Sequence, residues 1–297
     1  MMNQDLVIRI TAFVGVLVVM AIWELMAPRR RLHTSKAQRW VINLSLVGMN
    51  ALLIRILPAS GAFGAAIVAG QHKIGLLHQL DWPSWIEVML AVILLDLVVY
   101  FQHVLMHAVP ILWRLHMVHH SDLDFDVTTG IRFHPLEIVL SMFLKIGIVI
   151  VLGASPLAVL VFEVLLNATA MFNHSNVYIP AQVDRTLRWL VVTPDMHRIH
   201  HSVIPRETNR NFGFNLPWWD RLLGTYLDRP SKGQERMSIG LETYRNPAKL
   251  TWLRLMILPF TGSTGNYPTW HDEHHHVTAE EKAEEKKEKE DLPKRVR

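Results

Sequence analysis

Leu6 to Met26 is a run of mostly apolar residues, with Arg9 and Glu24 its charged members. A helix needs about 20 such residues to cross the hydrocarbon core of a bilayer. No water is available there to bond the backbone, so the segment must close its hydrogen bonds internally as a helix. Arg9 lies inside the run and no basic residue precedes it. No small-x-small cleavage site follows, and Pro28 with Arg29-Arg30-Arg31 reads as a stop-transfer. The run is therefore expected to be a retained anchor rather than a signal peptide. Arg29, Arg30, Arg31, Lys36 and Arg39 crowd the next loop, which the positive-inside rule puts in the cytoplasm.

Val41 to Leu57, with Trp40 at its edge, is expected to go back out. Ile86 to Leu105 returns, with Trp82 and Trp85 at the outer end and Tyr100 and Phe101 at the inner one. Ile138–Leu152 and Leu157–Met171, split by Gly153-Ala154-Ser155-Pro156, predict a tight helical hairpin. Gly61 to Gly70 is short and runs into Gln71-His72-Lys73, which suits a shallow or re-entrant segment. The expected fold is an all-α, multi-pass membrane helical bundle of about four spanning segments plus a re-entrant or interfacial one, with a cytoplasmic histidine-rich helical cap. Arg185–Val192 and Leu250–Leu258 read as amphipathic pieces in the headgroup plane, anchored by Trp189 and Trp252. The chain divides into membrane anchor (1–84), catalytic domain (85–230), interfacial segment (231–276) and a Glu/Lys-rich tail (277–297) too polar to bury a core. A bacterial inner membrane suits such a protein better than the endoplasmic reticulum.

Composition narrows the chemistry. The chain has no cysteine, which excludes disulfides, thiolate metal sites and cysteine nucleophiles. Its net charge of +4 is modest and locally clustered, so no nucleic-acid-binding face is expected. Against that background stand 17 histidines in 297 residues. His103, His107, His116, His119, His120, His134, His174, His197, His200 and His201 all fall at or beyond the cytoplasmic ends of the expected helices.

Their spacing is the strongest signal. His103-Val-Leu-Met-His107 puts two imidazoles on one helix face. His116-Met-Val-His119-His120 and His197-Arg-Ile-His200-His201 each put three there. At this histidine content an HxxHH pattern would arise by chance roughly 0.05 times, so two copies mark a site. A lone pair at this spacing is more often a surface accident; two triplets reverse those odds. Eight imidazoles so close would repel one another if charged and would be costly to bury unpaired, whereas neutral imidazole is a metal ligand. A zinc site needs three or four ligands and the HExxH pattern is missing. Two metals with nitrogen ligands and open positions fit the count, and an iron pair that activates O2 suits such ligation.

At these residues the chain resembles the fatty acid hydroxylase superfamily, which includes the sterol desaturases. The likeness runs from Leu90 to Asp228. It rests on His103–His107, Trp113-Arg114-Leu115-His116-Met117-Val118-His119-His120-Ser121-Asp122, Arg132-Phe133-His134-Pro135-Leu136-Glu137, Phe172-Asn173-His174, Thr193-Pro194-Asp195-Met196-His197-Arg198-Ile199-His200-His201 and Trp219-Asp220-Arg221-Leu222-Leu223-Gly224-Thr225. The resemblance implies a non-haem di-iron enzyme that uses two iron ions, O2 and two electrons to hydroxylate or desaturate a lipid (a sterol, fatty acyl chain or ether lipid). It implies the eight motif histidines as iron ligands, with His134 and His174 at less regular ligand positions. The spacing of His103 and His107 looks like the sterol desaturase and alkylglycerol monooxygenase branches.

Asp122, Asn173 and Asp195 stand beside ligand positions, where they would orient imidazoles or merely cap helices; Asp126 is a further candidate of this kind. Trp219-Asp220-Arg221 reads as a packing and salt-bridge element. His271 and His274-His275-His276 are not expected in the site. With no GxGxxG fingerprint, cysteine or HPGG motif in the chain, electrons must come from an external ferredoxin or cytochrome b5-like donor fed by an NAD(P)H reductase. The competing readings are an intramembrane histidine-rich divalent-metal transporter and a metal-binding member without turnover.

Overall fold

The computed structural model describes residues 2–56, 61–79, 81, 83–265 and 267. Leu57, Trp82, the His271 to His276 group and the charged tail lie outside them. The described residues form helices and turns, with no strand among them. In chain order the helices that build the bundle and the site are α1 (Met2–Met26), α2 (Lys36–Ile56), α3 (Gly61–His72), α4 (Ser84–Ala108), α5 (Pro110–His120), α6 (Pro135–Leu152), α7 (Pro156–Asn173), α8 (Ala181–Leu187) and α9 (Pro194–His200). Short turns then lead to a last helix, Trp252–Thr261.

Four helices are long and apolar enough to cross a membrane: Gln4–Met26 within α1, then α4, α6 and α7. The expected span at Val41–Leu57 is not among them. Helix α2 carries Lys36, Arg39, Asn43, Asn50 and Arg55, and its Arg39, Asn43 and Asn50 are buried. These three turn into the protein, toward the histidine-bearing half. Helix α3, with 12 residues, is about 18 Å long at 1.5 Å per residue and too short to span. Its Ala62, Ala65 and Ala66 pack on Ala91 and Leu95 of α4, Val149 of α6 and Ala158 and Phe162 of α7.

The α6–α7 hairpin forms where the sequence predicts it. Gly153 ends α6 at φ 68°, a left-handed conformation that glycine adopts without strain. Ser155 accepts a hydrogen bond from the Ala158 amide, and Pro156 begins α7. Close backbone packing supports the turn, since a Cβ on Gly75 would lie 2.2 Å from the Gly153 nitrogen.

At the opposite end of the bundle α1 is stitched to two loops. Buried Glu24 accepts hydrogen bonds from the amides of Val127 (2.7 Å) and Asn176 (2.8 Å). These loops follow α5 and α7, so the anchor helix fixes the chain on either side of the histidines. The last helix exposes Trp252, Leu253, Ile257 and Phe260 while burying Leu255 and Leu258 against Trp113 and Met117. That two-faced character matches the amphipathic piece expected there. Over Arg185–Val192 the helix is shorter than expected: α8 ends at Leu187, and exposed Trp189 and Leu190 follow in a turn.

A candidate metal centre of nine buried histidines

Helices α4, α5, α7 and α9 end at one place, and nine histidines meet there in two groups. His103, His107, His116, His120 and His200 form the first; His119, His174, His197 and His201 form the second. Within each group the ligand atoms lie within 4.8 Å of one another. Helical periodicity explains the sorting. Residues four apart stack on one face of a helix, and so His103 with His107, His116 with His120, and His197 with His201 each stay in one group. The residue three along is passed to the other: His119 joins the second group and His200 the first. The groups abut, the rings of His120 and His201 stacking at 4.5 Å.

The hydrogen bonds behind the rings fix their tautomers. Nδ1 donates to the Phe212 carbonyl from His103 (2.8 Å), to the Arg210 carbonyl from His200 (2.8 Å) and to Asn209 Oδ1 from His107 (3.2 Å). His116 Nδ1 donates to Glu137 Oε1 at 2.7 Å. In the second group His174 donates to the Ala170 carbonyl (2.7 Å) and His119 to that of Arg132 (3.3 Å). A neutral imidazole that donates from Nδ1 presents a lone pair at Nε2. Two such lone pairs face each other between His103 and His116 and two between His174 and His119, each at 3.1 Å, and the Nε2 atoms of His197 and His201 lie 3.1 and 3.2 Å from that of His174. Without a cation between them they repel. Nitrogens about 2.0–2.1 Å from a shared metal lie at comparable separations. His107, His120 and His200 also bury Nε2 atoms with no hydrogen-bond partner. The donor set thus fits metal ions with imidazole ligands.

Burial, and after it the neighbouring imidazoles, holds His119, His120, His197 and His201 well below the ordinary 6.5. Burial takes His174 down to about 3. These rings are therefore neutral at pH 7, the form that ligates a metal.

Of the ten histidines expected, His134 lies outside both groups. Its Nδ1 accepts from the Leu136 amide at the start of α6, and its Nε2 lies 3.3 Å from the Met256 carbonyl. Asp122, Asn173 and Asp195 are buried or nearly so, but other groups engage them. Arg39 and Thr129 bond Asp122, Asn173 donates to the Phe214 carbonyl, and Arg29 and Arg198 pair with Asp195. The carboxylate that does hold a histidine is Glu137, in the first turn of α6. Its signal was a lone acid three residues after His134, in the first turn of a mostly apolar helix.

A charged layer supports the site. Arg39 of α2 bonds Asp122 at 2.6 and 2.8 Å, Asp126 at 2.5 Å and Thr129 at 3.0 Å. Burial alone would raise the Asp122 carboxyl, yet Arg39 beside it draws it down to about 2. Arg132 bonds the Val118 carbonyl, Asn43 and Ser121, tying α2 to the end of α5. Among the described residues Asp220 forms no salt bridge, contrary to expectation. It accepts from the amides of Phe212 and Gly213 and from Thr225, and so shapes the segment that holds His103. Gly130 is a close approach: a Cβ there would lie 2.4 Å from the Ala170 carbonyl oxygen and 3.2 Å from His174 Nδ1.

Residues 88–225 match the fatty acid hydroxylase family, a stretch that contains all nine clustered histidines. Over 153 residues the chain is 35% identical to ornithine lipid hydroxylase OlsE of Rhizobium tropici, covering 50% of this chain and 44% of that one. It is 29% identical to alkylglycerol monooxygenase of Xenopus tropicalis over 205 residues, 66% of this chain and 44% of the other. Cholesterol 25-hydroxylase of Rattus norvegicus is 28% identical over 160 residues, 53% and 51% of the two chains. The chain thus spans about half the length of these relatives or less. No solved structure matches it. The histidine framework of residues 88–225 thus agrees with the fatty acid hydroxylase family, to which that stretch of the chain is similar.

Proposed function

We propose that the protein is a membrane-bound non-haem di-iron oxygenase that hydroxylates a lipid: RH + O2 + 2e⁻ + 2H⁺ → ROH + H2O. The single observation that carries this is the convergence of Nε2 atoms at 3.1–3.2 Å within buried, cysteine-free groups. Imidazole suits iron, copper, nickel and zinc; the likeness of residues 88–225 to a hydroxylase family favours iron. When bound, the iron pair supplies the activation of O2. His103, His107, His116, His120 and His200 would hold one ion, and His119, His174, His197 and His201 the other. The chain's own residues keep the rings neutral, aim Nε2 inward through Glu137 and the backbone carbonyls, and exclude water by complete burial. The protein supplies no nucleophile.

The relatives above are named as hydroxylases and monooxygenases of lipids, which favours hydroxylation over desaturation and a lipid drawn from the bilayer. A metal transporter has no such support, and its ligands would be expected near the middle of the membrane rather than at helix ends. The basic loop after α1 supports a cytoplasmic site by the positive-inside rule. Two electrons per turnover come from an external carrier. The test is iron per chain in detergent-purified protein, with Mössbauer spectroscopy after growth on iron-57, then lipid analysis for an added oxygen. Two irons per chain, lost together in His119→Ala/His200→Ala, are expected. Absence of a paired iron spectrum after anaerobic reconstitution would sink the reading.

A further inference from the structure

The two histidine groups are anchored differently. In the second, the backbone acceptors behind the rings belong to Arg132 and Ala170, both buried. In the first, three of five rings lean on one short segment, Asn209 to Phe212, whose Asn209 and Arg210 are partly exposed. This segment is therefore a thin wall between solvent and the five-histidine group.

Its outer side is basic. The segment pairs with residues 224–231: the Asn211 amide donates to the Thr225 carbonyl, Arg210 to the Gly224 carbonyl, the Leu227 amide to Asn211 and the Ser231 amide to Glu207. Arg206, Arg229 and Lys232 are exposed on this face beside Arg210. The acids here are Glu207, which is buried, and Asp228, which Arg188 and Arg229 already engage. The face thus presents Arg206, Arg210 and Lys232, with Arg229 paired to Asp228, and no exposed carboxylate left without a cation among the described residues.

We propose that the face of Arg206, Arg210, Arg229 and Lys232 docks an acidic one-electron carrier protein, and that electrons enter the five-histidine group through the Asn209–Phe212 segment beneath it. This rests on the oxygenase reading. Each encounter oxidises the reduced carrier by one electron, and two encounters supply one turnover. A basic patch over a thin wall suits such a partner, because complementary charge steers encounter and orientation without needing a large interface.

The probe is a purified acidic [2Fe–2S] ferredoxin, titrated onto the full-length protein in nanodiscs of zwitterionic lipid. Affinity is expected to fall as salt rises. Arg206→Glu/Arg229→Glu/Lys232→Glu should weaken binding at least tenfold at low salt, with or without iron, whereas Arg236→Glu/Lys249→Glu should not. Dithionite-driven product formation should be equal in the triple variant and the parent. Equal ferredoxin binding by the triple variant, a larger loss in the control variant, or a change confined to adsorption of phosphatidylglycerol vesicles would overturn the proposal. Failure of the parent to form product with dithionite would instead strike the oxygenase reading and leave the docking result to stand on its own.

Discussion

Replacing Glu137 by leucine removes the acceptor for the His116 Nδ1 hydrogen at the heart of the five-histidine group. The two side chains are 4% and 2% exposed and 2.7 Å apart, so water cannot stand in for the lost carboxylate. A buried donor left without a partner costs about 1–3 kcal/mol. Outer partners of metal-ligating histidines typically contribute about 10–100-fold in metal affinity, or about 1.4–2.8 kcal/mol at tenfold per 1.4. The two routes agree, and the loss should fall on one metal alone, because Glu137 touches no ring of the four-histidine group. Chelator competition on iron-loaded protein checks this. One ion should leave Glu137→Leu at 10–100-fold lower chelator activity, the other at the parental value. Glu137→Gln, which keeps an oxygen acceptor, should lie between. Equal weakening of both ions, or none in Glu137→Leu, would refute the claim that this carboxylate orients a ligand.

Three further outcomes follow from neighbouring features. Arg39→Met strands Asp122 and Asp126, which are 2% and 0% exposed; losing one side of a buried ion pair costs about 3–5 kcal/mol, so thermal unfolding in detergent should fall by at least ~6 °C. Gly130→Ala should push the Ala170 carbonyl and His174 aside, halving bound iron by emptying the four-histidine group; unchanged iron content would contradict the close approach. In metal-free protein His119, His120, His174, His197, His200 and His201 hold folded-state values below 6.5, so the unfolded chain binds more protons. Their contribution to stability should be full above pH 6.5 and decline progressively below it, toward the value of about 3 at His174. Denaturant midpoints at pH 7.5 and 5.5 measure that decline.

The sequence made the helices and the ligand-bearing faces legible because both depend on local spacing. Apolar length revealed α1, α4, α6 and α7, and the HxxHH triplets showed where imidazoles would share a face. Which face met which was not local. His200 joins residues nearly a hundred positions earlier, and Glu137 joins His116 across a loop. Helix α2 was legible as a mostly apolar segment, but the partners of its Arg39, Asn43 and Asn50 were not, because only the folded loop after α5 provides them. His134 shares the histidine side of the bundle, yet serves the start of α6 instead of joining either group.

The sorting of each triplet between the two groups has a further consequence. Helices α5 and α9 act as crossbars, each giving imidazoles to both groups, so the distance between the two metal positions is set by the helical pitch and not by loop geometry. Damage to the ligands of one group should therefore leave the spacing of the other group's imidazoles intact, because the shared helices keep their pitch whether or not the neighbouring group is filled.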